Sequence, residues 1–148
     1  MLFKRLNRTD PEQVFIVVLG NEGAALNINQ TVQLEVASAS VDGVRVRDMD
    51  TANLYAFVGV VDAAIADGAY GLVQIYGYRS TSVILTTDTS ITTGVALVPV
   101  AGQDYFQSEN TVYTSNANFT RTPIFAVLLE SITTSTGNVS RKIFIRAM

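Results

Sequence analysis

Residues Gly59–Tyr78, GVVDAAIADGAYGLVQIYGY, constrain the fold more than any other stretch of the chain. An apolar run rich in valine leads into a small-residue segment, with Ala63, Ala64 and Ala66 around Ile65. Asp67-Gly68 is a turn signal, because glycine reaches the left-handed backbone region that tight turns need. Leu72–Tyr78 then resumes an extended, β-branched and aromatic pattern. Strand, tight turn and strand predict a β protein with short connections.

The same grammar recurs along the chain. Val14–Leu19 is a β-branched apolar run that ends at the turn cluster Gly20-Asn21-Glu22-Gly23. Thr31–Ala37 alternates, with Val32, Leu34 and Val36 on one side and Gln33 and Glu35 on the other. That is the period-2 pattern of a half-buried strand. Asp42-Gly43 marks a turn before the alternating Val44–Arg47. Leu54–Val61 is apolar on both faces and predicts a central, fully covered strand. Ser82–Thr86 reads as a short strand, and Gly94–Val100 as one whose Pro99 belongs at an edge or bulge. Ile124–Ile132 is the longest late strand, with a leucine content that also permits a helix, and Thr133–Asn138 reads as a turn. The closing segment sets Val139, Arg141, Ile143 and Ile145 against Ser140, Lys142, Phe144 and Arg146. No internal repeat is apparent. The expected architecture is all-β: a single-domain β-sandwich or jelly-roll-like barrel of about eight strands, with residues 1–12 as an extended N-terminal arm and 13–148 as the β domain. Residues 103–123 are the least regular part, and their Tyr105, Phe106, Tyr113 and Phe119 suggest a loop that docks.

Composition narrows the chemistry. The chain has 148 residues, enough for one domain with a self-sufficient core. It contains no His, Cys or Trp. Thiol catalysis and disulfides are thereby excluded, and zinc sites and general-base triads lose their usual ligand or base. Charged residues make up 16%, against about 25% in ordinary proteins, which suits a subunit covered by its neighbours as well as it suits a polar, uncharged β surface. A net charge of -3 argues against broad nucleic-acid binding. The clearest basic cluster is Lys4, Arg5 and Arg8. The start resembles the charged region of a signal peptide, but Asp10-Pro11-Glu12 interrupts it. The apolar run Val14–Leu19 is far too short to span a bilayer. The chain is expected to be soluble and not secreted, without a membrane partner. Its four Asn-x-Ser/Thr sequons, at Asn7, Asn29, Asn118 and Asn138, then read as coincidences of composition.

Candidate constellations fail on spacing. Asp42, Asp48 and Asp50 suggest a cation loop but lack the downstream Gly and Glu of a calcium-binding EF-hand. Gly68, Gly71 and Gly77 are not a phosphate loop, since no Lys-Ser/Thr follows; Gly71 and Gly77 instead read as points of close backbone approach or strand bending. Asp62, Asp67 and Asp104 are the acids a carboxylate-based hydrolase or small-ligand binding module would use, and nothing in their spacing predicts convergence. Glu35 and Glu130 read as exposed positions of half-buried strands. Arg79-Ser80-Thr81 is a poor approach to the Arg-Ser-Gly element of trimeric dUTP-hydrolysing enzymes. No catalytic residue, cofactor or metal site is expected.

The segment Ala64–Tyr78, with the strand Leu54–Val61 before it, resembles small capsid cement or decoration proteins of tailed bacteriophages. The shared pattern is an apolar strand, an Ala-x-Gly-x-x-Gly turn (here Ala66–Gly71) and a strand containing Val-Gln (here Val73-Gln74). Gly94–Leu97 and Phe125–Glu130 are loosely similar to later β segments of such proteins, so that the resemblance covers about half the chain. It implies a non-enzymatic virion protein, made in the host cytoplasm and seated on the capsid surface. Its partners would be the major capsid protein and copies of itself, usually as a trimer. It brings no catalytic residues. Alternative roles are a self-assembling coat, tail or fibre subunit. The expected partner contacts are Leu2, Phe3, Lys4, Arg5 and Arg8 in the arm and Tyr105, Phe106, Tyr113 and Phe119 in the long loop.

Overall fold

The computed structural model describes residues 11–36, 42–49, 54–87, 90–100, 103–108, 124–133 and 136–147. The fold is all-β, as the turn-punctuated apolar runs predict. Among the described residues nine strands form one continuous sheet: β1 (Gln13–Gly20), β2 (Thr31–Leu34), β3 (Arg45–Asp48), β4 (Phe57–Val61), β5 (Tyr70–Thr87), β6 (Ala96–Pro99), β7 (Phe106–Ser108), β8 (Ala126–Leu128) and β9 (Thr136–Arg146).

The sheet closes on itself twice. In the first ring the order is β1-β3-β2-β4-β5, and β1 returns to pair with Tyr70–Gly77 of β5. In the second the order is β5-β7-β6-β8-β9, closed by the later part of β5 against β9. Each ring has one parallel contact, β1–β3 or β5–β7, and its other pairings are antiparallel. Two small barrels of the same topology thus share the long strand β5. Closure removes the free sheet edges that invite aggregation.

This duplication is a repeat that was not apparent in the sequence. Each ring is cinched by one isolated antiparallel bridge between buried aliphatic residues, Leu26 to Ile65 in the first and Ile91 to Ile132 in the second. Both bridges exchange two backbone hydrogen bonds of 2.8 and 2.9 Å. Three residues after the bridging side chain comes a residue with positive φ: Asn29 at 68°, Gly68 at 71° and Gly94 at 84°. Its N–H then donates across the ring, from Asn29 to Val61 O, Gly68 to Gly20 O and Gly94 to Leu128 O. Asn and Gly stand there because both tolerate the left-handed turn. The tetrapeptide Ser-Ile-Thr-Thr occurs at both 90–93 and 131–134, a trace of the repeat in the sequence itself.

Each barrel has its own core. Val18, Leu26, Val32, Val46, Val61, Ile65 and Val73 fill the first. Phe57, Ile84, Leu97, Phe106, Phe125, Leu128, Ile143 and Ile145 are among those filling the second. Strand β4 is buried along its whole length and serves both, with Val58 and Val61 facing the first core and Phe57 and Val60 the second. This is the doubly covered strand expected from an apolar run on both parities, although Leu54–Ala56 forms a 3-10 turn rather than its start.

Other boundaries move. Ser82–Thr86 is not a separate strand but the far end of β5. Ile124–Ile132 is neither a helix nor one long strand: only Ala126–Leu128 is strand, and Ile132 serves as the bridge. Part of the presumed turn Thr133–Asn138 already belongs to β9. Gln33 is buried rather than solvent-facing. Pro99 closes β6, pairing with Phe106.

Candidate functional site

The joint between the barrels is the most polar buried place among the described residues. Gly77 sits there with φ of 100°, and a Cβ on it would collide with the Glu12 carbonyl. The β5–β9 register shifts between Arg79 and Ser82. A bent strand frees backbone carbonyls from regular pairing, and side chains, among them Gln13, Gln74 and Arg79, take them up. Gln74 Nε2 donates to Tyr78 O at 2.9 Å and more weakly to Tyr76 O. Arg79 Nε donates to Thr81 O at 3.1 Å. The same guanidinium donates to Gln74 Oε1 at 3.1 Å, Asn29 Oδ1 at 2.7 Å and Val61 O at 3.0 Å, and lies 3.5 Å from Asp62. Burial pulls the Arg79 guanidinium below its ordinary value and the Asp62 carboxylate opposes this. Every direction of the fork is occupied by a structural partner, so Arg79 is a pin and not a binding group.

The acids scatter. Asp62 is engaged by Arg79. Asp67 Oδ1 accepts from the N–H groups of Glu22 and Gly23 at 3.1 and 2.9 Å, closing the first barrel's turns on each other. Asp104 lies elsewhere, beside Gln103 and Tyr105, in a cavity of about 330 Å³ also lined by Val83 and Asn138. Asp42 caps its own turn by accepting from Val44 and Arg45 N–H. Asp50 lies outside the described residues. Among the described residues no group of three or more acids, His or Cys is placed to hold a metal ion, and no helix is long and apolar enough to cross a membrane.

Asp48 differs from the engaged carboxylates of Asp42, Asp62 and Asp67. Burial raises its pKa first, then repulsion from Glu22 and Asp104, with Arg47 working against them. A carboxylate whose folded pKa is raised is stabilising only when protonated. Stability is therefore lost as pH rises from the ordinary aspartate value of 3.8 through the raised folded one. Asp48→Asn should raise the melting temperature at neutral pH, on the order of 2 °C, and leave it unchanged at acid pH. Thermal melts of both proteins across that range measure this; a stabilisation that persists at low pH would assign the effect to something other than charge.

Of the expected partner contacts, Phe106 is corrected outright. It is 0% exposed, set in the second core edge-on to Phe57 at 5.9 Å. It heads a strand whose short length hid it in an irregular segment. Tyr105 is half-buried at the cavity. Leu2, Phe3, Lys4, Arg5, Arg8, Tyr113 and Phe119 lie outside the described residues.

The surface feature missed from sequence is the outer side of β1 and β5. Val14, Ile16 and Val18 face inward. Phe15, Val17 and Leu19 face outward, opposite Gln74, Leu72 and Tyr70. Val17 is 61% exposed and Tyr70 69%. A run apolar on both parities predicts cover on both faces. Strand β4 has that cover, and β1 lacks it among the described residues. No known protein-family model matches the chain, and no curated protein matches it.

Proposed function

We propose that this chain is a structural virion protein that binds and stabilises the outer surface of a bacteriophage capsid, working as a homo-oligomer, with a trimer favoured, and without catalysis. The observation that carries the reading is the exposed Val17–Leu72 pair on a closed, edge-free double barrel. A stiff body with an apolar face suits a subunit that adds contacts to an assembly. Permanent interfaces of that kind bury roughly 2,000 Å² or more. The resemblance of Ala64–Tyr78 to capsid cement proteins supplies the virion context, and the absence of His and Cys removes the commonest catalytic groups.

Co-sedimentation with expanded capsids that lack the protein tests this. Saturable binding, with capsids then surviving heat or dilution better, is the expected result. A strict monomer that stays in the supernatant would end the proposal. Shells or tubes formed by the pure protein in electron micrographs would favour a coat or tail role instead.

A further inference from the structure

The two barrels share a topology but not an outer face. On β1 and β5 the cross-strand pairs Val17–Leu72 and Leu19–Tyr70 point away from the first core, with Phe15 next in the row. Val17, Leu72 and Tyr70 are all exposed. In the matching strand pair of the second barrel, β5 and β9, exposed Ser140 and Asn138 stand opposite half-buried Val83 and Leu85, and Lys142 is exposed. The closing strand of the second barrel is therefore polar where that of the first carries Leu72 and Tyr70. Single exposed hydrophobic residues are ordinary; adjoining cross-strand pairs mark a contact surface.

We propose that this face receives residues 1–10 of a second copy of the chain. The segment MLFKRLNRTD carries the apolar Leu2, Phe3 and Leu6, and the cations Lys4, Arg5 and Arg8 against the single acid Asp10. The face it would cover is apolar, with Asp62 and Asp67 at its rim and Arg45, ion-paired to Asp42, beside Leu19. Asp62 lies beside Leu72, to whose carbonyl its N–H donates, and Asp67 sits in the turn that leads into Tyr70. Ten extended residues reach roughly 33 Å, enough to run the length of the face.

The chain's exit favours a neighbour over its own barrel. Glu12 O still accepts from Tyr78 N–H at 3.0 Å. The backbone is thus still aligned with β5 at that point, heading away from Val17 and Tyr70. Covering its own face would need a reversal across Pro11. An arm-to-face contact is heterologous and closes into a ring at a rotation such as threefold. The inference rests on reading the chain as an assembling structural subunit, and it names what one of its interfaces is made of.

The natural absence of cysteine makes the test clean. Phe3→Cys and Leu72→Cys variants are mixed and oxidised, with Ser140→Cys replacing Leu72→Cys as the control on the second barrel. The expected result is a Phe3–Leu72 mixed-disulfide dimer exceeding the control by about tenfold, because docking raises the local thiol concentration. The variant carrying both cysteines should give covalent oligomers. Sedimentation velocity should find the wild type oligomeric and a Val17→Ser, Leu72→Ser variant monomeric, with circular dichroism confirming that the variant folds. A monomer closed by an internal disulfide, equal yields with Ser140→Cys, or a monomeric wild type would overturn the proposal. If a monomeric protein still bound capsids, the arm exchange would fail while the virion reading stood.

Discussion

Replacing Arg79 with Met is expected to lower the free energy of unfolding by about 3–5 kcal/mol, the range for removing one partner of a buried charged network. Met matches the stem in bulk but donates nothing. Gln74 Oε1, Asn29 Oδ1 and the Thr81 carbonyl then lose this donor at the barrel joint, while the Val61 carbonyl keeps only the Asn29 N–H. Each buried acceptor left unpaired costs about 1–3 kcal/mol, less wherever water enters beside the half-exposed Asp62. Arg79→Lys should recover only a small part, since an ammonium cannot fork toward several acceptors in one plane. Urea denaturation of the three proteins measures the series. A loss below about 1 kcal/mol for Met would mean that solvent substitutes for the guanidinium and that the joint is not held by it.

The legible and illegible parts of this chain follow from the range of the interactions behind them. Asp67-Gly68 and Asp42-Gly43 were legible because a positive φ is a property of one residue; both glycines have it. The doubly buried β4 was legible because five consecutive small or apolar residues leave no polar face. Ring closure was not legible, since β1 finds β5 across some fifty residues of sequence and no local pattern encodes that pairing. The repeat was half-legible. Ser-Ile-Thr-Thr appears twice, but the first barrel writes the same bridge as Ala-Leu-Asn-Ile and Ala-Ile-Ala-Asp. What persists is one buried aliphatic residue followed three positions later by a turn residue, too sparse to notice before the bridges are known. Arg79 drew notice only as a poor match to a catalytic motif, because an arginine's partners, here drawn from Asn29 to Thr81, are a tertiary fact.

Phe106→Ala tests whether two barrels make one cooperative unit. The ring is fully buried, packed edge-on to Phe57, which in turn lies 4.8 Å from Phe125 between ring centres. Its truncation should cost about 3–5 kcal/mol from lost burial and the cavity left behind. The coupling runs through β4, whose Phe57 and Val60 belong to the damaged core while Val58 and Val61 belong to the intact one. A strand cannot leave one core and stay in the other. Loosening the second barrel should therefore expose the first, and β5, common to both rings, gives no place for one to detach cleanly. Native-state hydrogen exchange reads this directly, through the bridge amides Leu26 and Ile65 in the first barrel and Ile91 and Ile132 in the second. All four should lose protection by the same free energy in Phe106→Ala. If Leu26 and Ile65 kept theirs while Ile91 and Ile132 lost it, the barrels would be separate folding units, and β4 would be a contact between them instead of a shared element.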